Sequence, residues 1–69
     1  KSWGAATGRR VLAAVQRIGW SVKRTAGSHR TLERSGWPDF TFAYHDGEEI
    51  GPRMPARIAK HTGLSPEDL

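Results

Sequence analysis

Apolar side chains near the start of the chain recur every three or four residues between positions 11 and 18, which is the spacing of one helix face. Thr7, before them, is a residue type that caps helix N-termini. Gly19 follows them, and glycine commonly ends a helix in the left-handed conformation. The pattern predicts a first helix over about residues 8–18, preceded by a loose leader over residues 1–6.

The pattern then changes to alternation with period two, which indicates strands with one buried face. A first strand is predicted over residues 20–25, a second over 29–34, and a third over 40–44, whose aromatic residues share one face. Phe40 and Phe42 are expected in the core, and an open face that stacks on RNA, with Tyr44, is the alternative. Turn-forming residues separate the strands at 26–28 and 35–39. Such short connections predict an antiparallel three-stranded meander.

A second helix is predicted after a loop over residues 45–49. Pro52 suits the first turn of a helix, where its missing N–H is no loss, and Gly63 suits its end. The residues at 65–68 are typical of the start of another helix. The outer side of the second helix is predicted to carry Arg53, Arg57 and Lys60, and the inner side Met54, Ile58 and Ala59.

The predicted order is α-β-β-β-α, so the 69 residues are expected to form one domain of the α+β class. One face of the three-stranded antiparallel sheet needs a cover, and two amphipathic helices on that face supply it. A chain this short has room only for a compact core. The other face of the sheet is left open to solvent or to a partner.

Positive charge is concentrated in the first half of the chain. Residues 1–34 contain eight Lys and Arg against one acidic residue, whereas residues 35–69 contain three against six, for a net charge of +4. A basic half-domain is typical of a protein that binds a polyanion, most often nucleic acid. A solvated surface that keeps a small protein soluble explains the same charge equally well.

Several classes of site and location are disfavoured by composition. The chain has no cysteine, which excludes disulfides and thiolate chemistry and fits a reducing compartment. No apolar run approaches the roughly 20 residues of a membrane-spanning helix, and no signal-peptide pattern opens the chain. We therefore expect a cytoplasmic protein. His29, His45 and His61 lie 16 residues apart without a close ligand pair, so neither a metal nor another cofactor is expected.

His29 is the candidate catalytic residue, because it follows Gly27-Ser28 at the start of the second strand, near Lys23, Arg24 and Arg30. Histidine exchanges protons near neutral pH, and guanidinium groups bind phosphate through two hydrogen bonds. RNA carries its own nucleophile, the 2′-OH, so acid–base chemistry can cleave it without a metal or a protein nucleophile. On spacing alone, a surface histidine beside a turn is the more common interpretation.

Four other residues are weaker candidates. Trp20 is expected in the core, and Trp37 is expected to be more exposed, where it can stack on a base or meet a partner. His45 at the exit of the third strand either lies near His29 or only closes the loop. His61 is expected on a solvated basic face of the second helix.

Taken in order, the motifs resemble the HicA family, the small toxins of bacterial toxin–antitoxin pairs, over roughly residues 7–69. The motifs that carry the resemblance are Gly19-Trp20, Arg24, Gly27-Ser28-His29, His45 followed by Glu48-Glu49-Ile50, Pro52, and a helix ending in Thr62-Gly63-Leu64-Ser65.

The resemblance implies a fold similar to double-stranded-RNA-binding domains and a ribonuclease activity on mRNA that blocks translation. It places the essential histidine of the family on His29, and it implies a HicB antitoxin that covers that surface. With the basic residues around it, we expect RNA contacts from Lys23, Arg24, Ser28 and Arg30.

Two other functions remain open at the level of sequence. A non-catalytic RNA-binding module would read the shape of A-form RNA, using the basic outer side of the second helix. A protein-interaction domain would instead dock another chain on the open face of the sheet. Replacement of His29 separates an enzyme from a binding module.

Overall fold

The computed structural model describes residues 4, 6–45, 47–51 and 53–69. Its elements confirm the predicted α+β order. Two short strands are added, one before the first helix and one after the meander. In chain order the elements are β1 (Ala6–Thr7), α1 (Gly8–Arg17), β2 (Ser21–Ala26), β3 (His29–Arg34), β4 (Trp37–Ala43), β5 (Glu49–Ile50), α2 (Arg53–Thr62) and a 3₁₀ turn (Pro66–Asp68).

The main sheet is the predicted antiparallel meander, in the order β2-β3-β4. Its second connection is shorter than expected, because residues 37–39 belong to β4 and only Ser35 and Gly36 form the turn. Gly36 adopts a φ of +85°, a conformation that glycine accepts without steric cost. A two-residue turn therefore suffices where the sequence predicted five turn residues.

A small second sheet joins β1 to β5, with Ala6 opposite Ile50. Ala6 was expected in the loose leader and Glu49 in a loop, and both expectations are wrong for these residues. Two-residue strands are too short to show alternation, so sequence periodicity cannot reveal them. The rest of the expected leader at 1–3 and 5 lies outside the described residues, as do Asp46 and Pro52.

The helix boundaries agree with their capping residues. The hydroxyl of Thr7 accepts a hydrogen bond from the Arg10 N–H at 3.2 Å, which satisfies one of the free donors at the start of α1. Gly19, at a φ of +114°, and Gly63, at +79°, follow the ends of α1 and α2. The short turn after Ser65 is the predicted helix start, and it extends for only three residues.

Both helices pack on one face of the main sheet. The core joins residues from α1, α2 and the sheet: Val11, Ala14, Val15, Ile58, Leu32 and Phe42. Trp20 is 2% exposed, which confirms its expected place in the core, and its indole N–H donates to the Thr62 carbonyl at 3.0 Å. The opposite side of the sheet, called the outer face from here on, has no helix over it among the described residues.

Candidate nucleic-acid interface

His29 lies on the outer face of the sheet. In the ladder it stands opposite Ala26 of β2 and Ala43 of β4. Two residues along β3, Thr31 stands opposite Arg24 and Thr41. Residues directly opposite each other in antiparallel strands point to the same side of the sheet, and so do residues two apart in one strand. These six side chains therefore share the face that points away from Leu32 and the helices.

The turn before His29 is held by its own geometry and by a bond to β4. Gly27 has a φ of +59° at the first position of a two-residue hairpin turn, where a type II′ turn requires glycine. The carbonyl of Ser28, a half-buried residue, accepts a hydrogen bond from the Tyr44 N–H at 3.1 Å. The turn and the bond to Tyr44 therefore fix the backbone immediately before His29, the first residue of β3.

Small residues face His29 on both neighbouring strands. The bond between Tyr44 and Ser28 identifies His29 and Ala43 as a non-hydrogen-bonded pair, in which opposite side chains approach most closely. On both neighbouring strands the residue facing His29 is alanine, so among the paired strand residues only methyl groups stand beside it. His29 itself is exposed, which leaves its side chain accessible to a substrate.

Arg24 is the basic residue that the ladder places nearest to His29 on this face. It is exposed, stands opposite Thr31, and is the diagonal neighbour of His29, a relation that places Cα atoms about 7–8 Å apart. Thr31 and Thr41 share a hydrogen bond between their hydroxyl oxygens at 2.9 Å, which ties β3 to β4 beside this pair.

Lys23 occupies an irregularity of β2, between Val22 and Arg24, and its ammonium group is paired with a carboxylate. Its Nζ lies 2.8 Å from Oδ2 of Asp39 on β4. The hydrogen bond to Asp39, and then the charge of that carboxylate, raise the pKa of the exposed Lys23 above its ordinary value. The ammonium is therefore charged throughout the neutral range, but it is engaged across the sheet.

Arg30 lies on the other side of the sheet from His29. Its guanidinium carbon stands 4.8 Å from the centre of the Tyr44 ring, and Nη1 donates to the Gly27 carbonyl at 3.0 Å. Of the four predicted RNA contacts, the structure brings Arg24 and Ser28 to His29, pairs Lys23 with a carboxylate, and separates Arg30 from the outer face. The separation of Arg30 from His29 could have been inferred from the sequence, since consecutive residues of a strand point to opposite faces.

The remaining aromatic candidates make contacts within the protein. Trp37 is 39% exposed, but its ring meets Trp20 edge to face at 5.7 Å and lies under the Arg34 guanidinium at 5.1 Å. His61 is exposed and stacks on Phe40, with ring centres 4.8 Å apart and an angle of 14°. The carbonyl of His45 accepts a hydrogen bond from Glu48, as expected of a loop-closing residue.

The described part of the chain contains no cluster of three or more histidine, aspartate or glutamate side chains able to hold a metal ion. Neither α1 nor α2 has the length and apolar character needed to cross a bilayer.

Comparison with known proteins identifies a family. The model of the family described as "HicA toxin of bacterial toxin-antitoxin" matches residues 8–64, which cover both helices and the whole main sheet. Neither the curated proteins nor the solved structures contain a match to the chain.

Proposed function

The chain belongs to the HicA toxin family of bacterial toxin–antitoxin systems, and from this premise we propose that it is a cytoplasmic endoribonuclease that cleaves mRNA and so blocks translation. The observation that supports this best is the placement of His29. It is exposed, held at the end of the sheet, flanked by Ala26 and Ala43, and diagonal to Arg24. An acid–base group is useful only where a substrate can reach it.

The proposed reaction uses the nucleophile that RNA supplies. His29 takes the proton from a 2′-OH, the 2′-oxygen attacks the adjacent phosphorus, and the P–O5′ bond breaks. The leaving 5′-oxygen receives a proton from solvent or from the protonated His29. The products are a 2′,3′-cyclic phosphate and a free 5′-OH, and no step calls for a metal ion.

The basic residues take different parts in this proposal. Arg24 binds the phosphate next to the cleaved bond, because it shares the outer face with His29. Lys23 joins it when a phosphate displaces Asp39, and the hydroxyl of Ser28 adds a contact at the turn. Arg30 fixes that turn through the Gly27 carbonyl, so we propose that it positions His29 and does not contact the phosphate.

Replacement of His29 by alanine tests the proposal. We expect the cleavage rate of a single-stranded RNA to fall by about 10²–10⁴-fold, the usual contribution of a positioned acid–base group, while binding of the RNA is retained. Cleavage by the unmodified protein should persist in EDTA. His45→Ala measures whether His45 shares the work, and Gln16→Ala, on the exposed side of α1, is the control.

Two results would reject this function. Unchanged cleavage by His29→Ala would remove the assigned catalytic residue. Binding of RNA by the unmodified protein without any cleavage would favour the non-catalytic RNA-binding module, whose contacts would come from Arg53, Arg57 and Lys60, all of them exposed on α2.

The family pairs a toxin with an antitoxin, so a protein partner is part of the proposal. We propose a HicB-like antitoxin that silences the enzyme by covering His29. The open outer face, on which His29 stands, leaves room for such a cover.

A further inference from the structure

Two adjoining cavities run along one side of α2. The first, of about 490 Å³, lies at the start of the helix, beside Ile50 and Arg53. The second, of about 230 Å³, lies between the helix and β4, beside Phe40 and His61. Met54 and Arg57 line both, so the cavities form one continuous depression, here called the α2 groove.

The α2 groove combines an apolar floor with a basic rim. Ile50, Met54, Ile58 and the aromatic residues of β4 supply the floor. Arginines at 53 and 57 supply the charge, and no acidic side chain lines either cavity among the described residues. A groove of this composition complements a segment that carries both apolar and acidic side chains.

One wall of the groove is the free edge of β4. In the part of the chain that the structure describes, β3 is the only strand paired with β4. The Tyr44–Ser28 bond sets the phase of that pairing, so His29–Ala43 and Thr31–Thr41 are both non-hydrogen-bonded pairs. The N–H and C=O groups of Thr41 and Ala43 therefore point away from β3, and both residues line the second cavity.

We propose that the α2 groove and the free edge of β4 bind an extended acidic segment of a protein partner, which adds a fourth strand to the sheet. An unpaired strand edge offers main-chain hydrogen bonds to such a segment, and the adjacent floor offers pockets for alternate side chains. The inference rests on the proposed function for the identity of the partner, which is then the antitoxin. The apolar floor favours a peptide over RNA, whose backbone presents phosphates.

The position of the groove links this docking to control of His29. An added strand lies about 4.8 Å from β4, and so about 10 Å from β3. The residue of the added strand that faces Ala43 points to the outer face, where only a methyl group separates it from the His29 ring. A glutamate there reaches across Ala43 to the imidazole, so one segment both docks and covers the catalytic residue.

The test is an NMR titration of the ¹⁵N-labelled full chain. The probe is a capped octapeptide of alternating valine and glutamate, and the comparison probes are its valine–lysine counterpart and an oligouridylate. We expect the acidic peptide to shift the amide signals of Thr41, Ala43 and Met54, to slow amide exchange at Thr41 and Ala43, and to slow RNA cleavage. The valine–lysine peptide should leave these signals in place.

Two variants test the contacts separately. Arg57→Glu should weaken binding of the acidic peptide at least tenfold, whereas Arg10→Glu, the same charge change on the exposed side of α1, should bind it as the unmodified protein does. Ala43→Pro removes one outward N–H without touching a bond to β3, and proline is tolerated at a strand edge. It should keep a dispersed spectrum and lose the peptide.

The inference is overturned if both peptides bind equally, if the shifts map to Arg24 and the outer face alone, or if the oligouridylate shifts the groove in place of the peptide. Its failure is distinguishable from failure of the proposed function. Peptide binding is measured without RNA cleavage and should persist in His29→Ala, whereas the cleavage assay of that variant makes no use of the groove.

Discussion

At the scale of single residues, the approach of α1 to the end of β4 depends on the missing side chain of Gly8. A Cβ atom at this position would overlap the ring of Tyr44. That ring is buried, stacks on Phe42 at 5.5 Å, and supports the guanidinium of Arg30. The contact therefore connects the first turn of α1 to the turn that carries His29.

We expect Gly8→Ala to lower the free energy of unfolding by about 1–3 kcal/mol, the usual cost of overpacking a core. Gly51→Ala is the matched control, because among the described residues no atom beyond its chain neighbours lies within 4 Å of the position its Cβ would take. That control should change stability by less than about 0.5 kcal/mol. Chemical denaturation measures both, and equal stability of the two variants would show that the Tyr44 ring moves aside freely.

At the scale of elements, two irregularities shape the outer face. The ladder between β2 and β3 shifts register around Lys23, and the ladder between β3 and β4 shifts between Leu32 and Arg34. Such bulges bend a strand and change the direction in which its side chains point. Here they flank the same part of β3, which allows Lys23 and Asp39 to meet across the middle strand.

We expect Asp39→Asn to tighten the binding of single-stranded RNA about two- to fivefold, since an exposed ion pair contributes little and the freed ammonium can meet a phosphate. Glu67→Gln, which makes the same charge change on the exposed C-terminal turn, should leave the affinity nearly unchanged. Fluorescence anisotropy with the His29→Ala background measures both affinities without cleavage. Equal tightening in the two variants would attribute the effect to net charge and would remove Lys23 from the proposed phosphate contacts.

At the scale of the whole molecule, the two surfaces of interest lie on different sides of the sheet. The outer face carries His29 and Arg24, and the α2 groove lies beyond the edge of β4, on the side of the helices. Ala43 belongs to both, since it faces His29 and lines the groove. In the docking proposed above, the methyl group of Ala43 is therefore what separates a segment bound at the edge of β4 from His29.

The salt dependence of RNA affinity distinguishes basic residues that contact phosphates from basic residues that contribute only to the overall charge of the protein. If Arg24 neutralises one phosphate, Arg24→Ala should reduce the slope of log affinity against log salt by about 0.7 for a single strand. Arg10→Ala, which removes an exposed charge from α1, should reduce it by much less. Equal slopes for the two variants would mean that Arg24 acts through the overall field of the protein.

Local chemistry was enough to predict most of the fold. Both helices, the three long strands, the α+β class and the turn at Gly27 follow from periodicity and from residues whose backbone preferences are strong. The order of the sequence motifs also predicted membership of the HicA family, and the match of the family model over residues 8–64 confirms it. His29 as the catalytic residue, with its RNA contacts, stays a prediction.

Only the tertiary structure decided which distant residues meet. The pairing of Ala6 with Ile50, the ion pair of Lys23 with Asp39 and the α2 groove each join segments that are far apart in the chain. Sequence spacing reports contacts within an element, where the backbone geometry is known, but it carries no record of how elements pack. The sequence analysis expected Arg30 beside His29 at the RNA, although the strand period points consecutive residues to opposite faces. The partners that hold Arg30 on the other face, Tyr44 and the Gly27 carbonyl, depend on the folded chain.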